Sequence, residues 1–188
     1  MALFSAFLDA CVLVPLAPCD TLLRMADNEA FRPLWSEKVI DEARLALERV
    51  HPEVDPNRFR SRFRSMNEAF DDALVTGWEP LVGSFALPDP DDAHVVAAAL
   101  VGRADVIVTE NTKDFPDSAL GPLGLKAVRL DEFLLDQFDL SPTSASWIIE
   151  EQAQAMKRPP VDADQLLDRL SRGGAPAFAQ RVRNELSL

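Results

Sequence analysis

Four carboxylates lie where strands should end or helices should begin. They are Asp9, Glu42, Asp92 and Asp114. The first closes the apolar run 3–8, the second lies within 39–50, the third precedes 93–100, and the last follows 106–109. Acids collected at the carboxyl edge of a parallel sheet form a site for hard divalent cations, which prefer oxygen ligands. This spacing therefore predicts a cation site.

Each acid also has an ordinary structural interpretation. Asp89 and Asp92 could cap a helix and favour its dipole. Glu42 could be a solvated residue at the edge of an apolar stripe, and Asp114 could be a turn residue. Asp9 is harder to explain in this way, because an acid buried at the end of a strand is costly without a metal or hydrogen bonds.

Composition limits the classes of protein that fit. The chain has 188 residues, is 47% hydrophobic and carries a net charge of -12, which argues against binding nucleic acid through bulk charge. Two cysteines are too few for a disulfide framework, and residues 1–6 lack the basic start of a secretory signal. The longest apolar run, 95–101, is far short of the roughly 20 residues that span a bilayer. These features predict a reduced, cytoplasmic protein without a membrane partner.

Alternating apolar segments predict an α/β fold with a layered sheet. Strands are expected at 3–8, 79–82, 104–109 and 126–130, and helices at 21–28, from Ser36 to Val50, at 56–74 and after Asp89-Pro90. Pro15 and Pro18 are expected to act as breakers. The continuous apolar character of 104–109 favours a parallel strand that is covered on both faces.

The composition changes at Asp139. Residues 140–144 are typical of a linker, and helical segments at 146–157, 162–172 and 177–186 follow. We therefore predict two domains, an α/β domain at 1–138 and a helical C-terminal extension at 139–188. The extension is too short to bury much surface alone and is expected to pack on the main domain or on a partner.

Four sequence blocks resemble the signature blocks of PIN-domain nucleases. They are Leu8-Asp9-Ala10-Cys11-Val12-Leu13, Ser36 to Glu42, Leu87 to Ala99, and Val108 to Pro116. Their order and rough spacing agree across residues 1 to about 137. Among these nucleases the chain most resembles the VapC-like toxins of type II toxin-antitoxin pairs, including a subgroup with an extra helical C-terminal segment.

The resemblance implies a fold, an activity and a set of partners. The implied fold is a PIN-like, Rossmann-like parallel sheet flanked by helices. The implied activity is a Mg²⁺- or Mn²⁺-dependent endoribonuclease that hydrolyses RNA and is neutralised by a cognate antitoxin. The resemblance leaves open whether the chain forms a homodimer or a hetero-oligomer with the antitoxin.

The resemblance also assigns roles by position. Asp9, Glu42 and Asp92 match the first three acids of the family, and either Asp114 or Asn111 matches the fourth. Thr109 matches the hydroxyl residue at that strand end, and Asp89 is an outer acid or a cap.

An arginine-rich segment is the candidate for RNA contact. Arg58, Arg60, Arg62 and Arg64 lie on both sides of Phe59 and Phe63. They could bind phosphates or form a solvated helix face paired with nearby acids. Lys113 is a further candidate for contact with the RNA backbone.

Weaker candidates receive structural interpretations. His51 and His94 have no second His or Cys at ligand spacing, and Cys11 has no positioned base. Trp35, Trp78 and Trp147 are isolated, which favours a core or interface role over base stacking. Two rival functions stay open, a non-catalytic PIN module that binds RNA or protein and another metal-dependent phosphohydrolase.

Overall fold

The computed structural model describes residues 4–188, and its centre is a five-stranded parallel sheet. The strands are β1 (Ser5–Leu8), β2 (Arg32–Ser36), β3 (Leu74–Val75), β4 (Val106–Val108) and β5 (Ala127–Val128). Their order is β3-β2-β1-β4-β5, and every pair is parallel. The expected parallel α/β sheet with flanking helices is confirmed.

Ten α-helices accompany the sheet within residues 4–188. They are α1 (Ala10–Leu13), α2 (Leu16–Asp27), α3 (Glu37–Val50), α4 (Pro56–Ala69), α5 (Ala93–Val101), α6 (Asp117–Leu120), α7 (Leu130–Leu140), α8 (Pro142–Ala155), α9 (Ala163–Arg172) and α10 (Pro176–Leu186). Short 3-10 helices lie at Glu79–Ser84, Pro90–Asp92, Thr112–Asp114 and Gly121–Leu123.

The core of the sheet follows from its apolar sequence. All residues of β1 and β4 are buried, as expected for central parallel strands that are covered on both faces. Helix α5 is buried along nearly its whole length. Its residues are apolar except His94, which is therefore a polar residue within the core. This burial fixes the ends of β1 and β4 and the start of α5, where three of the four acids lie.

The chain forms two compact units. The first comprises the described residues up to Val14 together with Phe31–Val128, and it contains the sheet. The second comprises Pro15–Ala30 and Arg129–Leu188, and it is helical. Within the second unit α2 packs against α8 and α9. The domain boundary at residues 138 and 139 stays a prediction.

A buried polar contact joins α2 to α8 inside the second unit. The Thr21 hydroxyl donates to Gln152 Oε1 over 2.7 Å, and Gln152 Nε2 donates to the carbonyl of Ala17 over 3.1 Å. Both side chains are fully buried. Because an unpaired buried amide or hydroxyl is costly, these bonds specify how the two helices pair.

Several expected elements differ in the structure. Residues 79–82 form a 3-10 helix rather than a strand, and α4 ends at Ala69 rather than continuing to Leu74. Pro18 does not break α2, because it lies in the first turn, where its missing N–H has no helical acceptor. The expected linker 140–144 lies largely inside α8, with Pro142 in its first turn. Residue 3 of the first expected strand lies outside the described residues.

Candidate acidic site

The candidate site lies where the strand order reverses. Strands β1 and β4 are neighbours in the sheet. The strand that follows β1 in the chain lies towards one edge of the sheet, and the strand that follows β4 lies towards the other edge. Asp9 follows β1, Thr109 follows β4, and the Asp9 amide donates to the carbonyl of Val108 over 3.1 Å. In open α/β sheets this point beyond the carboxyl ends of the strands is the usual place for a ligand.

The Asp9 carboxylate accepts hydrogen bonds from three donors. Its Oδ1 accepts the amide of Ala10 over 2.7 Å, which caps α1. Its Oδ2 accepts the hydroxyl of Thr109 over 2.7 Å and the thiol of Cys11 over 3.3 Å. These bonds offset part of the cost of burying the carboxylate and fix its orientation.

Cys11 serves this arrangement as a protonated group. Burial, followed by the nearby Asp9 charge, raises the pKa of the Cys11 thiol to about 12. Its sulfur accepts the amide of Glu110 over 3.2 Å. A thiol with this pKa is a weak nucleophile at neutral pH, which agrees with its structural interpretation.

Asp92 is the most strongly perturbed acid of the site. Its Oδ2 is buried and has no hydrogen-bond partner among residues 4–188. Burial, and then the charges of Asp9, Asp89 and Asp114, raise the pKa of Asp92 to about 6, and His94 opposes this shift. Asp9, Asp89 and Asp114 are therefore each close enough to repel the charge of Asp92.

Asp114 and Asn111 form one pair. Asn111 Nδ2 donates to Asp114 Oδ2, and the Asn111 amide donates to the Thr109 hydroxyl over 3.1 Å. Asp114 is half-buried, whereas Asn111 is exposed. The two candidates for the fourth position are therefore in contact, and Asp114 carries the charge that acts on Asp92.

Glu42 is positioned by a histidine that the sequence interpretation did not connect to it. His94 Nε2 lies 3.0 Å from Glu42 Oε1, and Lys38 Nζ lies 3.9 Å from the same oxygen. His94 is only 2% exposed, and its Nδ1 has no partner among residues 4–188. The available signal was a polar residue in the otherwise apolar run 93–100, two positions after Asp92.

The remaining predicted residues differ in their surroundings. Arg62 is half-buried, donates to the Leu13 carbonyl over 2.7 Å and lies over the Phe63 ring. Arg60 bonds to Asn57 over 3.3 Å, and Arg64 lies 3.9 Å from Glu68.

Arg58 and Lys113 are exposed. Asp89 accepts the Asp91 amide over 2.9 Å and caps the 3-10 helix before α5, as its sequence position predicts. Of the four arginines, Arg62 therefore has a clear structural role.

The chemistry of the acidic residues fits a divalent cation. Within residues 4–188, no three His, Cys, Asp or Glu side chains are placed as a ready-made metal site. However, a bound cation would relieve both the unpaired Asp92 oxygen and the repulsion of Asp92 by the three other aspartates. Carboxylate oxygens are also the ligands that Mg²⁺ and Mn²⁺ prefer.

Comparison with known proteins gives two family matches and one relative. The PIN domain model matches residues 5–113, and a model of the VapC50 C-terminal domain matches residues 130–184. Over 92 residues the chain is 46% identical to the Mycobacterium tuberculosis (strain ATCC 25618 / H37Rv) protein named "Putative ribonuclease VapC50". That alignment covers 49% of this chain and 54% of the relative, so the chain spans about half the length of this curated protein. No solved structure matches the chain.

Within residues 4–188, no helix combines the length and the apolar character needed to cross a bilayer.

The family assignment rests on the PIN match, which covers more than half of the 188 residues and contains Asp9, Glu42 and Asp92. The chain therefore belongs to the PIN domain family, as a VapC-like member with a VapC50-type C-terminal extension.

Proposed function

We propose that the chain is a Mg²⁺- or Mn²⁺-dependent endoribonuclease and acts as a cytoplasmic toxin that a cognate antitoxin neutralises. The observation that carries this proposal is Asp92, whose buried oxygen is unpaired and whose pKa is raised to about 6 by burial and by three other aspartates. Such a cluster is unfavourable for folding alone. It is typical of a site that binds a cation for catalysis.

The proposed cation ligands are Asp9, Asp92 and Asp114, with Asn111 and Glu42 in support. Bound Mg²⁺ or Mn²⁺ would lower the pKa of a water molecule and neutralise charge on the scissile phosphate. Asp9 is already oriented by the Thr109 hydroxyl, and Asp114 by the Asn111 amide. These contacts reduce the reorganisation that binding requires.

Glu42 has a different role in this proposal. His94 and Lys38 both lie near the same carboxylate oxygen, so Glu42 is oriented by groups other than the four aspartates. Glu42 is thus placed to accept a hydrogen bond from the substrate or from a water molecule at the edge of the site.

Charge supports the proposed partners. The net charge of -12 disfavours RNA binding through the whole surface, so the RNA must be held locally at the site. The same acidity favours an antitoxin that inserts a basic segment and covers the aspartates. The relative that shares 46% identity carries "ribonuclease" in its name.

Cleavage of total cellular RNA by the purified chain tests the activity. We expect discrete fragments in Mn²⁺ or Mg²⁺ and none in EDTA. Asp92→Asn should abolish cleavage, whereas Asp91→Asn, which removes an equal charge from an adjacent exposed residue, should leave it unchanged. The Asp91→Asn control separates the role of the site from the effect of net charge.

Two outcomes would overturn this function. Intact RNA after incubation with folded, metal-loaded wild-type chain, free of antitoxin, would favour the non-catalytic binding module. Hydrolysis of a chromogenic phosphate ester without any RNA cleavage would favour a phosphohydrolase.

A further inference from the structure

A cavity adjoins the acidic site on the side of β2 and β3. Its volume is about 450 Å³, within the range of small-ligand sites. Its wall includes the aromatic residue Trp78, the apolar residues Leu45 and Val75, and the polar residues Thr76, Lys38 and Glu42. All of these residues belong to the first unit.

His94 connects this cavity to the candidate site. The Trp78 and His94 rings have centroids 6.0 Å apart and planes inclined by 50°. His94 in turn lies 3.0 Å from Glu42 Oε1, and it is the second residue of α5, two positions after Asp92. A group bound against Trp78 would therefore be a close neighbour of a group bound at Glu42.

The Trp78 side chain has the exposure that a stacking role requires. Trp35 is completely buried, so its ring cannot meet a ligand. Trp78 is half-buried and lines the cavity. Its flat ring, in a wall that also includes Leu45 and Val75, can accept a planar ring, and such stacking is tolerant of base identity.

The charges of the wall exclude a phosphate and favour a hydrogen-bond donor. Glu37, Asp41 and Glu79 also line the cavity, and carboxylates accept hydrogen bonds but do not donate them at neutral pH. They would repel a phosphate, while a base edge that carries N–H groups would pair with them. Guanine presents N1–H and N2–H₂ on one edge, whereas uracil presents a single N–H between two carbonyl groups.

We propose that this cavity binds a guanine base of the RNA strand next to the scissile bond. Trp78 stacks on the base, and the wall carboxylates accept its N–H groups. This inference rests on the proposed ribonuclease function and gives that function a base preference.

The binding arm of the test does not depend on cleavage. The probes are guanosine and uridine, added to the full Asp92→Asn chain while the indole N–H resonances of its tryptophans are recorded by NMR. Trp78→Phe in the same background identifies the Trp78 resonance. We expect guanosine to shift this resonance and uridine to leave it nearly unchanged. No shift with guanosine would overturn the proposal.

The cleavage arm uses single-stranded oligonucleotides that differ at one position. Loss of stacking in Trp78→Ala should raise KM for the guanine-containing substrate by roughly 5- to 150-fold and abolish the preference for guanine over uracil. Trp78→Phe should keep most of the preference. Trp147→Ala removes another exposed tryptophan, 50% exposed on α8, and should change neither value.

The two arms separate the inference from the function on which it rests. If the wild-type chain cleaves no RNA, the ribonuclease proposal fails while the guanosine measurement still reports on the cavity. If it cleaves RNA and Trp78→Ala retains both KM and base preference, the cavity proposal is wrong and the ribonuclease proposal stands.

Discussion

Asp92 combines burial with repulsion from three other aspartates, and this combination opposes folding when no cation is bound. Asp92→Asn removes the charge and keeps the shape of the side chain. We therefore expect it to raise the melting temperature of the chain in EDTA at neutral pH, in addition to the expected loss of cleavage. Thermal unfolding followed by circular dichroism measures the change.

The pH dependence of that gain has a defined sign. The pKa of Asp92 is about 6 in the folded chain and 3.8 ordinarily, so the folded state binds the proton more tightly than the unfolded state. The stabilisation that the folded state gains from protonation of Asp92 is fully present below pH 3.8 and is lost as the pH rises through about 6. The gain from Asp92→Asn should thus be full above pH 6 and absent near pH 4. An equal gain at both values, or the same profile in Asp91→Asn, would contradict this explanation.

Thr109 is the residue through which the end of β4 holds Asp9. Thr109→Val keeps the shape but removes the donor to Asp9 Oδ2 and the acceptor for the Asn111 amide. We expect Mn²⁺ affinity, measured by isothermal titration calorimetry, to fall about 10- to 100-fold, as is typical when a ligand loses its supporting hydrogen bond. Thr109→Ser keeps the hydroxyl and should retain most of the affinity. Unchanged affinity in Thr109→Val would show that the Ala10 and Cys11 bonds are sufficient.

At the level of elements, the apolar runs that became β1, β4 and β5 and most of the amphipathic helices were recognised, whereas β2, β3 and α7 were not. The Ser36 cap and the stripe through Val39 and Leu47 predicted α3, and the structure has it at Glu37–Val50. Strands β2 and β3 were missed, because Arg32–Ser36 contains a proline and β3 begins at Leu74, which the sequence analysis assigned to the end of a helix. Their strand geometry comes from pairing with a neighbour, which a local pattern does not record.

In the candidate site, too, some features were recognisable from the sequence and others were not. Asp9, Asp92 and Asp114 were recognisable because each follows or precedes an apolar run, and the parallel sheet brings the ends of such runs together. The pairing of His94 with Glu42 was not recognisable, because it joins two helices far apart in sequence and depends on how they pack. The catalytic roles of these residues stay predictions.

The end of α9 is tightly packed against α2. A Cβ added at Gly173 would lie 2.6 Å from Pro18 Cγ and 3.1 Å from the Arg169 carbonyl oxygen. Gly173→Ala should therefore lower the free energy of unfolding by about 1–3 kcal/mol, the usual cost of overpacking. Chemical denaturation measures this value.

Gly121→Ala is the matched control for that substitution. Among the described residues, nothing lies within 4 Å of a Cβ placed at Gly121, and Gly121 has backbone angles that alanine adopts readily. It should leave stability nearly unchanged. Equal effects of the two substitutions would mean that the α9–α2 contact is not the cause.

At the level of the whole molecule, the second unit is assembled from two separate segments of the chain. Helix α2 buries Leu22 and Met25 and packs against α8 and α9. Deletion of residues 141–188 would remove both partner helices and leave this face of α2 uncovered. We expect the shortened chain to bind a hydrophobic dye such as ANS and to lose part of its cooperative unfolding.

A chain that lacks only residues 187–188, beyond the end of α10, is the control and should behave like the full chain. If the long deletion neither binds dye nor melts earlier, α2 does not depend on α8 and α9. If it does both, loss of RNA cleavage in the same variant reports on folding and cannot be assigned to substrate binding.

The contact between Thr21 and Gln152 also has a consequence in time. These residues are 131 positions apart. At about 5–20 residues per second, a ribosome needs roughly 7 to 26 s to pass from one to the other. During that interval the central strands are synthesised, whereas α8 and α9, the helices that pack on α2, are not yet complete. The strands of the sheet are therefore all synthesised before the second unit, which contains α2, can fold.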